Sequence, residues 1–148
     1  MTGKAGVKAG LIGVAVMLVL TLLNQVLPLS GGLVYVMCGV STLAYVGIGI
    51  LASVFLAPPR SASKGARAGV IAGLISGVIN SVIGYVILTI RLARGLGMPG
   101  VDPAQLQQLT EAGYNLQVFA IPGMVCGFAI GAVAAAIGGA VLAAVKPD

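Results

Sequence analysis

Four long apolar runs, separated by short polar breaks, set the pattern of this chain. Charge-free stretches cover Ala9–Leu27, Leu33–Ala57, Ala68–Ile90 and Val118–Val145. They are 19, 25, 23 and 28 residues long and take up 95 of the 148 positions. A hydrocarbon core ~30 Å thick is crossed by about 20 helical residues at a rise of ~1.5 Å each. Each run therefore predicts a membrane-spanning helix.

The breaks carry helix-ending chemistry. Pro28, Ser30, Gly31 and Gly32 predict a tight hairpin after the first run. Pro58 and Pro59 stop the second, and Arg60-Ser61-Ala62-Ser63-Lys64 forms a short polar connection. The third ends near Arg91 and Arg94, with Gly95, Gly97, Pro99 and Gly100 following. The first run sits behind Lys4 and Lys8, as a secretory signal would. Its core is longer than the roughly 7–15 residues of a signal, and no small-x-small site follows Leu27, so a retained helix is expected.

Between the third and fourth runs, Asp102-Pro103-Ala104-Gln105 predicts a helix start: Asp as N-cap, Pro at the first position, Gln turning back on the cap. Leu106 and Leu109 lie three apart among Gln105, Gln107, Gln108 and Glu111. A short interfacial helix is expected there, running on into the fourth span, where Pro122 would kink it.

The two halves echo one another. Val7-Lys8-Ala9-Gly10-Leu11-Ile12 resembles Ala66-Arg67-Ala68-Gly69-Val70-Ile71, and Met37-Cys38-Gly39-Val40 resembles Val125-Cys126-Gly127-Phe128. The expected fold is an all-α integral membrane protein whose four transmembrane helices form two tandem helical hairpins. It is a single membrane domain, 1–148. Repeat 1 covers residues 1–59 and repeat 2 residues 60–148, the latter with an outer interfacial segment at 91–117. An axis along the membrane normal is expected to relate the hairpins, as in parallel repeats.

Small residues recur every fourth position. The third span carries Gly65, Gly69, Gly73 and Gly77, and beside them a second ridge of Ala68, Ala72, Ser76, Asn80 and Gly84. The fourth carries Gly123, Gly127, Gly131, Ala135, Gly139 and Ala143. Lipid tails are as apolar as Leu, so helices in a bilayer associate by close backbone approach, which such rows permit. Two ridges on one helix serve two neighbours, and one of these is expected in another subunit. The plainer alternative is packing of the third and fourth helices within the chain.

Composition narrows the chemistry. The chain is 59% hydrophobic and 7% charged, with no His and only three Asp and Glu. A soluble domain carries roughly a quarter charged residues. No ionisable Asp, Glu, His, Lys or Arg lies inside a span, which argues against a proton-coupled transporter or an intramembrane protease. No catalytic residue, metal site or cofactor is expected. Cys38 and Cys126 are two thiols without His or acidic neighbours, best read as small buried hydrophobes.

The net charge of +5 is distributed by topology, not by nucleic-acid binding. Lys4, Lys8, Arg60, Lys64, Arg67 and Lys146 fall on one side of the spans, and Arg91 and Arg94 on the other. The positive-inside bias puts both termini in the cytoplasm, in the inner or plasma membrane. Tyr35, Tyr85 and Tyr114 then sit near the outer interface. Lys4, Lys8, Arg60, Lys64 and Arg67 make a basic cluster suited to lipid headgroups or, as the sharper alternative, an acidic partner.

Polar groups inside the spans are few. Ser and Thr can bond back to their own helix carbonyls. Asn80 cannot be satisfied that way. It predicts an interhelical hydrogen bond or, alternatively, a pore-lining amide, with Asn24 and Ser76 on the same path. The expected function is accordingly non-catalytic: a multi-pass protein working through helix association, as a homo-oligomer or a small subunit of a larger complex. The alternative is a small channel or facilitator for a neutral or ionic solute, without an intramembrane proton-relay residue. The partners are the bilayer and other membrane subunits or copies.

Overall fold

A computed structural model describes residues 2–26, 32–98 and 101–148. Among these the chain is all helical. The elements are α1 (Thr2–Val26), α2 (Gly32–Val54), α3 (Ala62–Ala93), α4 (Pro103–Glu111) and α5 (Leu116–Val145). Four of them, α1, α2, α3 and α5, are long and apolar enough to cross a membrane. The hairpin expected from Pro28 to Gly31 lies outside the described residues.

The helices overrun the charge-free stretches because a charged side chain ends a hydrophobic run, not a helix. α1 begins at Thr2, ahead of Lys4 and Lys8, and α3 begins at Ala62, ahead of Lys64 and Arg67. Ser61 caps α3, its side chain accepting from the Lys64 amide. At 32 residues α3 is ~48 Å long, well beyond the hydrocarbon thickness. It stops at Arg94, and Gly95 follows at φ +69, the left-handed turn that a glycine takes without strain.

α4 begins as the sequence predicts. Asp102 is its N-cap, accepting from the Ala104 amide, with Pro103 in the first turn. It does not continue into the fourth span. It ends at Glu111, Gly113 turns the chain at φ +78, and α5 starts afresh at Leu116. Pro122 lies inside α5, where its ring removes one backbone donor.

α3 lies at the centre of the bundle. It packs on α5 along most of the overlap and on α1 along its other side, while α2 packs on α5 and touches both α1 and α3. Helices running in the same direction are thus neighbours: α1 beside α3, α2 beside α5.

Backbones come closest in the half of the bundle nearer Lys4. A β-carbon on Gly69 of α3 or Gly49 of α2 would collide with the Ala135 carbonyl of α5 from two sides. One on Gly65 would meet the Gly139 carbonyl, and one on Gly73 would lie 2.8 Å from the Ala132 Cα. On the opposite flank of α3, a β-carbon on Gly6 of α1 would lie 2.8 Å from the Ala68 carbonyl oxygen. Gly65, Gly69, Gly73 and Gly77 of the first ridge thus approach α5, and Ala68 and Ala72 of the second approach α1, while at Gly84 nothing lies within 4 Å of a β-carbon position.

The buried side chains are small, among them Ala9, Ala52, Ala68, Ala72, Ala135 and Ala143. Large aliphatic residues such as Leu11, Val19, Val82 and Ile137 point outward. This inversion of a soluble core suits a lipid surround, where exposing Leu costs nothing and backbone approach gains dispersion.

Candidate functional site: a polar cavity between the helices

In the half of the bundle nearer Arg91 the helices stand apart. A cavity of about 450 Å³ lies between α1, α2, α3 and α5. Its polar wall comprises Thr21 and Asn24 of α1, Ser41, Thr42 and Tyr45 of α2, and Asn80 and Ser81 of α3. α5 contributes Gly123, Gly127 and Gly131 with Met124 and Ile130. Among the described residues no carboxylate, ammonium or guanidinium group lines it.

Each helix supplies one face. Met17, Leu20, Thr21 and Asn24 recur at the three- and four-residue spacing of a helical stripe, as do Cys38, Ser41, Thr42 and Tyr45. The α5 stripe owes its depth to missing side chains. At Gly123 and Gly127 nothing lies within 4 Å of where a β-carbon would sit. The row on α5 thus changes role along its length: Gly139 abuts Gly65, whereas Gly123 and Gly127 face open space.

Tyr45 forms the floor. Its ring lies 2.6–2.8 Å from the β-carbon position of Gly131, and its hydroxyl 3.4 Å from that of Gly77. Only glycine at 131 lets the ring lie across α5. Below Tyr45 the helices close, and Ser53, fully buried, donates to the Gly139 carbonyl at 2.6 Å.

The hydrogen bonding of the wall is incomplete. Thr21 Oγ1 donates to Asn80 Oδ1 at 2.7 Å, linking α1 to α3. The two Asn80 amide protons are not used in that bond. Thr42 spends its proton on the Cys38 carbonyl of its own helix. Asn24 Oδ1 is buried and has no hydrogen-bond partner among the described residues. An unmet acceptor in a low-dielectric site costs roughly 1–3 kcal/mol, which a turn of the Asn24 amide toward a donor in the cavity would recover.

No family model, curated protein or solved structure matches this chain. The chemistry therefore rests on the residues alone. Of the three positions expected on a polar path, Asn24 and Asn80 line the cavity. Ser76 does not: it is buried, and its hydroxyl donates to the Ala72 and Gly73 carbonyls of its own helix. Asn80 bonds to Thr21 of α1 and also lines the cavity.

Among the expected packing glycines, Gly65, Gly69, Gly73 and Gly77 lie against α5, and Gly131 and Gly139 against Tyr45 and Gly65. Cys38 and Cys126 are free and exposed, which corrects the expectation of burial. A thiol facing lipid or the cavity has no strongly hydrated group to lose. Sequence reasoning missed Tyr45 and set aside Ser41, Thr42 and Ser81 as self-satisfied. The i, i+4 alignment of Thr42 with Cys38 and of Ser41 with Tyr45 was the available signal, and Ser81 gave none beyond following Asn80.

The basic residues divide. Arg60 turns inward, its Nε donating to the Leu56 carbonyl at 3.0 Å and its backbone amide to the Pro147 carbonyl at 2.7 Å. Lys64 Nζ donates to the Pro59 carbonyl. Lys4, Lys8 and Arg67 are exposed. At the other end Arg91 Nη1 donates to Gln25 Oε1 at 3.1 Å, next to Asn24 in sequence.

Proposed function

We propose that this is a non-catalytic, multi-pass membrane protein that admits a small, uncharged, polar solute to the cavity at its Arg91 end, as a facilitator or channel. The reading is carried by the unpartnered Asn24 Oδ1 in a polar cavity between membrane-spanning helices. An ion entering would meet dipoles but no countercharge, a poor exchange for its hydration. A neutral molecule with an N–H or O–H donor satisfies Asn24 and can accept from the Asn80 amide. Hydroxyl and amide side chains without an acid or base at hand support binding, not catalysis.

The distribution of Lys and Arg supports an orientation with both termini in the cytoplasm and the cavity open outward. Passage then requires Tyr45 to leave Gly131. The glycine rows serve as the packing surfaces that hold the inner half shut, and the two hairpins are read as tandem repeats with segment 91–117 inserted in the second.

The test is solute flux into proteoliposomes, with glycerol and urea as probes. The wild type speeds entry of at least one probe, and Asn24→Leu and Gly127→Leu each remove the effect while the protein remains folded. Flux equal to protein-free vesicles, or unchanged by both substitutions, overturns the reading. A second reading, self-association or membership of a larger membrane complex, is favoured by Gly39 and Gly47 of α2. Both are exposed with nothing within 4 Å of a β-carbon position. Native mass spectrometry of the gently solubilised protein would reveal such a partner.

A further inference from the structure

A second hollow lies at the opposite end of the bundle from the solute cavity and does not depend on it. It measures about 530 Å³ and is bounded by Gly3, Lys4, Ala5 and Lys8 of α1 and by Phe55 and Ala57 beyond α2. Its walls are chiefly apolar. Phe55 is exposed, and a β-carbon on Gly3 would meet nothing within 4 Å. The polar elements are the two lysines, one helical turn apart on the same side of α1.

These lysines differ from Arg60 and Lys64, two of the other cations of that end. Arg60 and Lys64 are committed to backbone carbonyls. Neither Lys4 nor Lys8 has a hydrogen-bond or ion-pair partner among the described residues. Two of the three acidic residues, Asp102 and Glu111, belong to the α4 region at the far end. Asp148 is drawn to Arg60, whose Nη1 donates to its backbone oxygen. Two unneutralised ammonium groups therefore stand over an apolar recess at the end of a membrane-spanning bundle.

We infer that this recess is a binding site for a single anionic phospholipid, its phosphate between Lys4 and Lys8 and one acyl chain against Phe55 and Ala57. The charge selects the headgroup and the recess selects a ligand with a tail. Free phosphate matches only the first, and a zwitterionic lipid only the second. An acidic peptide would leave the apolar wall unused.

The test is native mass spectrometry of the intact protein, stripped of lipid in a neutral detergent. Phosphatidylglycerol, phosphatidylcholine of the same chains and inorganic phosphate are each titrated against it. One phosphatidylglycerol is expected to be retained in preference to phosphatidylcholine, with no phosphate adduct. Lys4→Gln and Lys8→Gln should each lower retention about fivefold, as one surface charge implies. Arg67→Gln removes the same charge away from the recess and should change nothing. Gly3→Leu fills the recess without altering charge, so loss of the adduct in that variant is expected even if a lysine variant folds poorly. Equal retention of both lipids, equal loss in Arg67→Gln, retention in Gly3→Leu, or a phosphate adduct alone would each overturn the inference.

Discussion

Thr21 of α1 donates its hydroxyl proton to Asn80 Oδ1 of α3 at 2.7 Å, across the parallel pair that forms one wall of the cavity. The bond holds the amide plane so that its nitrogen is left for another acceptor. Interhelical side-chain bonds in membranes are worth ~0.6 kcal/mol on average and up to ~1.7. Thr21→Val and Asn80→Leu should each lower stability by about 1 kcal/mol. Because they break the same bond, the double variant should cost less than the sum. Reversible unfolding in mixed micelles measures the cycle. Strictly additive effects would show that the two side chains are not coupled.

Ser53 places a hydroxyl at the tightest part of the bundle. It is fully buried and bonds the Gly139 carbonyl at 2.6 Å, beside Gly49 and Gly65. Removing the donor leaves a carbonyl that still accepts within α5, so Ser53→Ala should cost only about 1 kcal/mol. Ser53→Leu should cost more, since extra carbons have no room between touching backbones. Unfolding free energies of the two variants decide this. A Ser53→Leu protein as stable as Ser53→Ala would mean the interface is looser than its glycines imply.

The helices were legible in the sequence because a bilayer imposes one length and excludes charge, and both marks are visible residue by residue. Helix ends were less so, since Lys4 and Lys64 end a hydrophobic run yet extend a helix. The cavity was hidden for a different reason. In a soluble chain a buried face is apolar and an exposed face polar, but here lipid-facing and protein-facing positions are equally apolar. Glycine is ambiguous in the same way: Gly69 and Gly127 stand in identical rows, and only the position of the neighbouring helix separates contact from void. The neighbour order, α1 beside α3, is likewise a property of packing that no local pattern encodes.

Arg60 belongs to the basic cluster by sequence, but its fork is spent on carbonyls at the end of α2 and in the tail after α5. Lysine cannot reproduce that fork. Arg60→Lys should therefore behave like Arg60→Ala, freeing residues 146–148 to carboxypeptidase while leaving the membrane orientation intact. If Arg60→Lys protects the tail as the wild type does, the charge alone is sufficient and the hydrogen bonds are incidental.

The two glycine environments give the sharpest contrast. Gly69 and Gly127 are both mid-helix, and alanine gains roughly 0.5–1 kcal/mol over glycine there when space permits. At Gly127 nothing lies within 4 Å of the new β-carbon, so Gly127→Ala should be neutral to stabilising by that amount. At Gly69 the β-carbon would overlap the Ala135 carbonyl and lie 3.0 Å from the Ala136 Cα, both backbone atoms that move only if α5 moves. Overpacking of this kind costs roughly 1–3 kcal/mol, which exceeds the propensity gain. Gly69→Ala should thus destabilise while Gly127→Ala does not, in the same micelles and by the same unfolding assay. Equal effects at the two sites would contradict the arrangement in which one end of the bundle is closed and the other open.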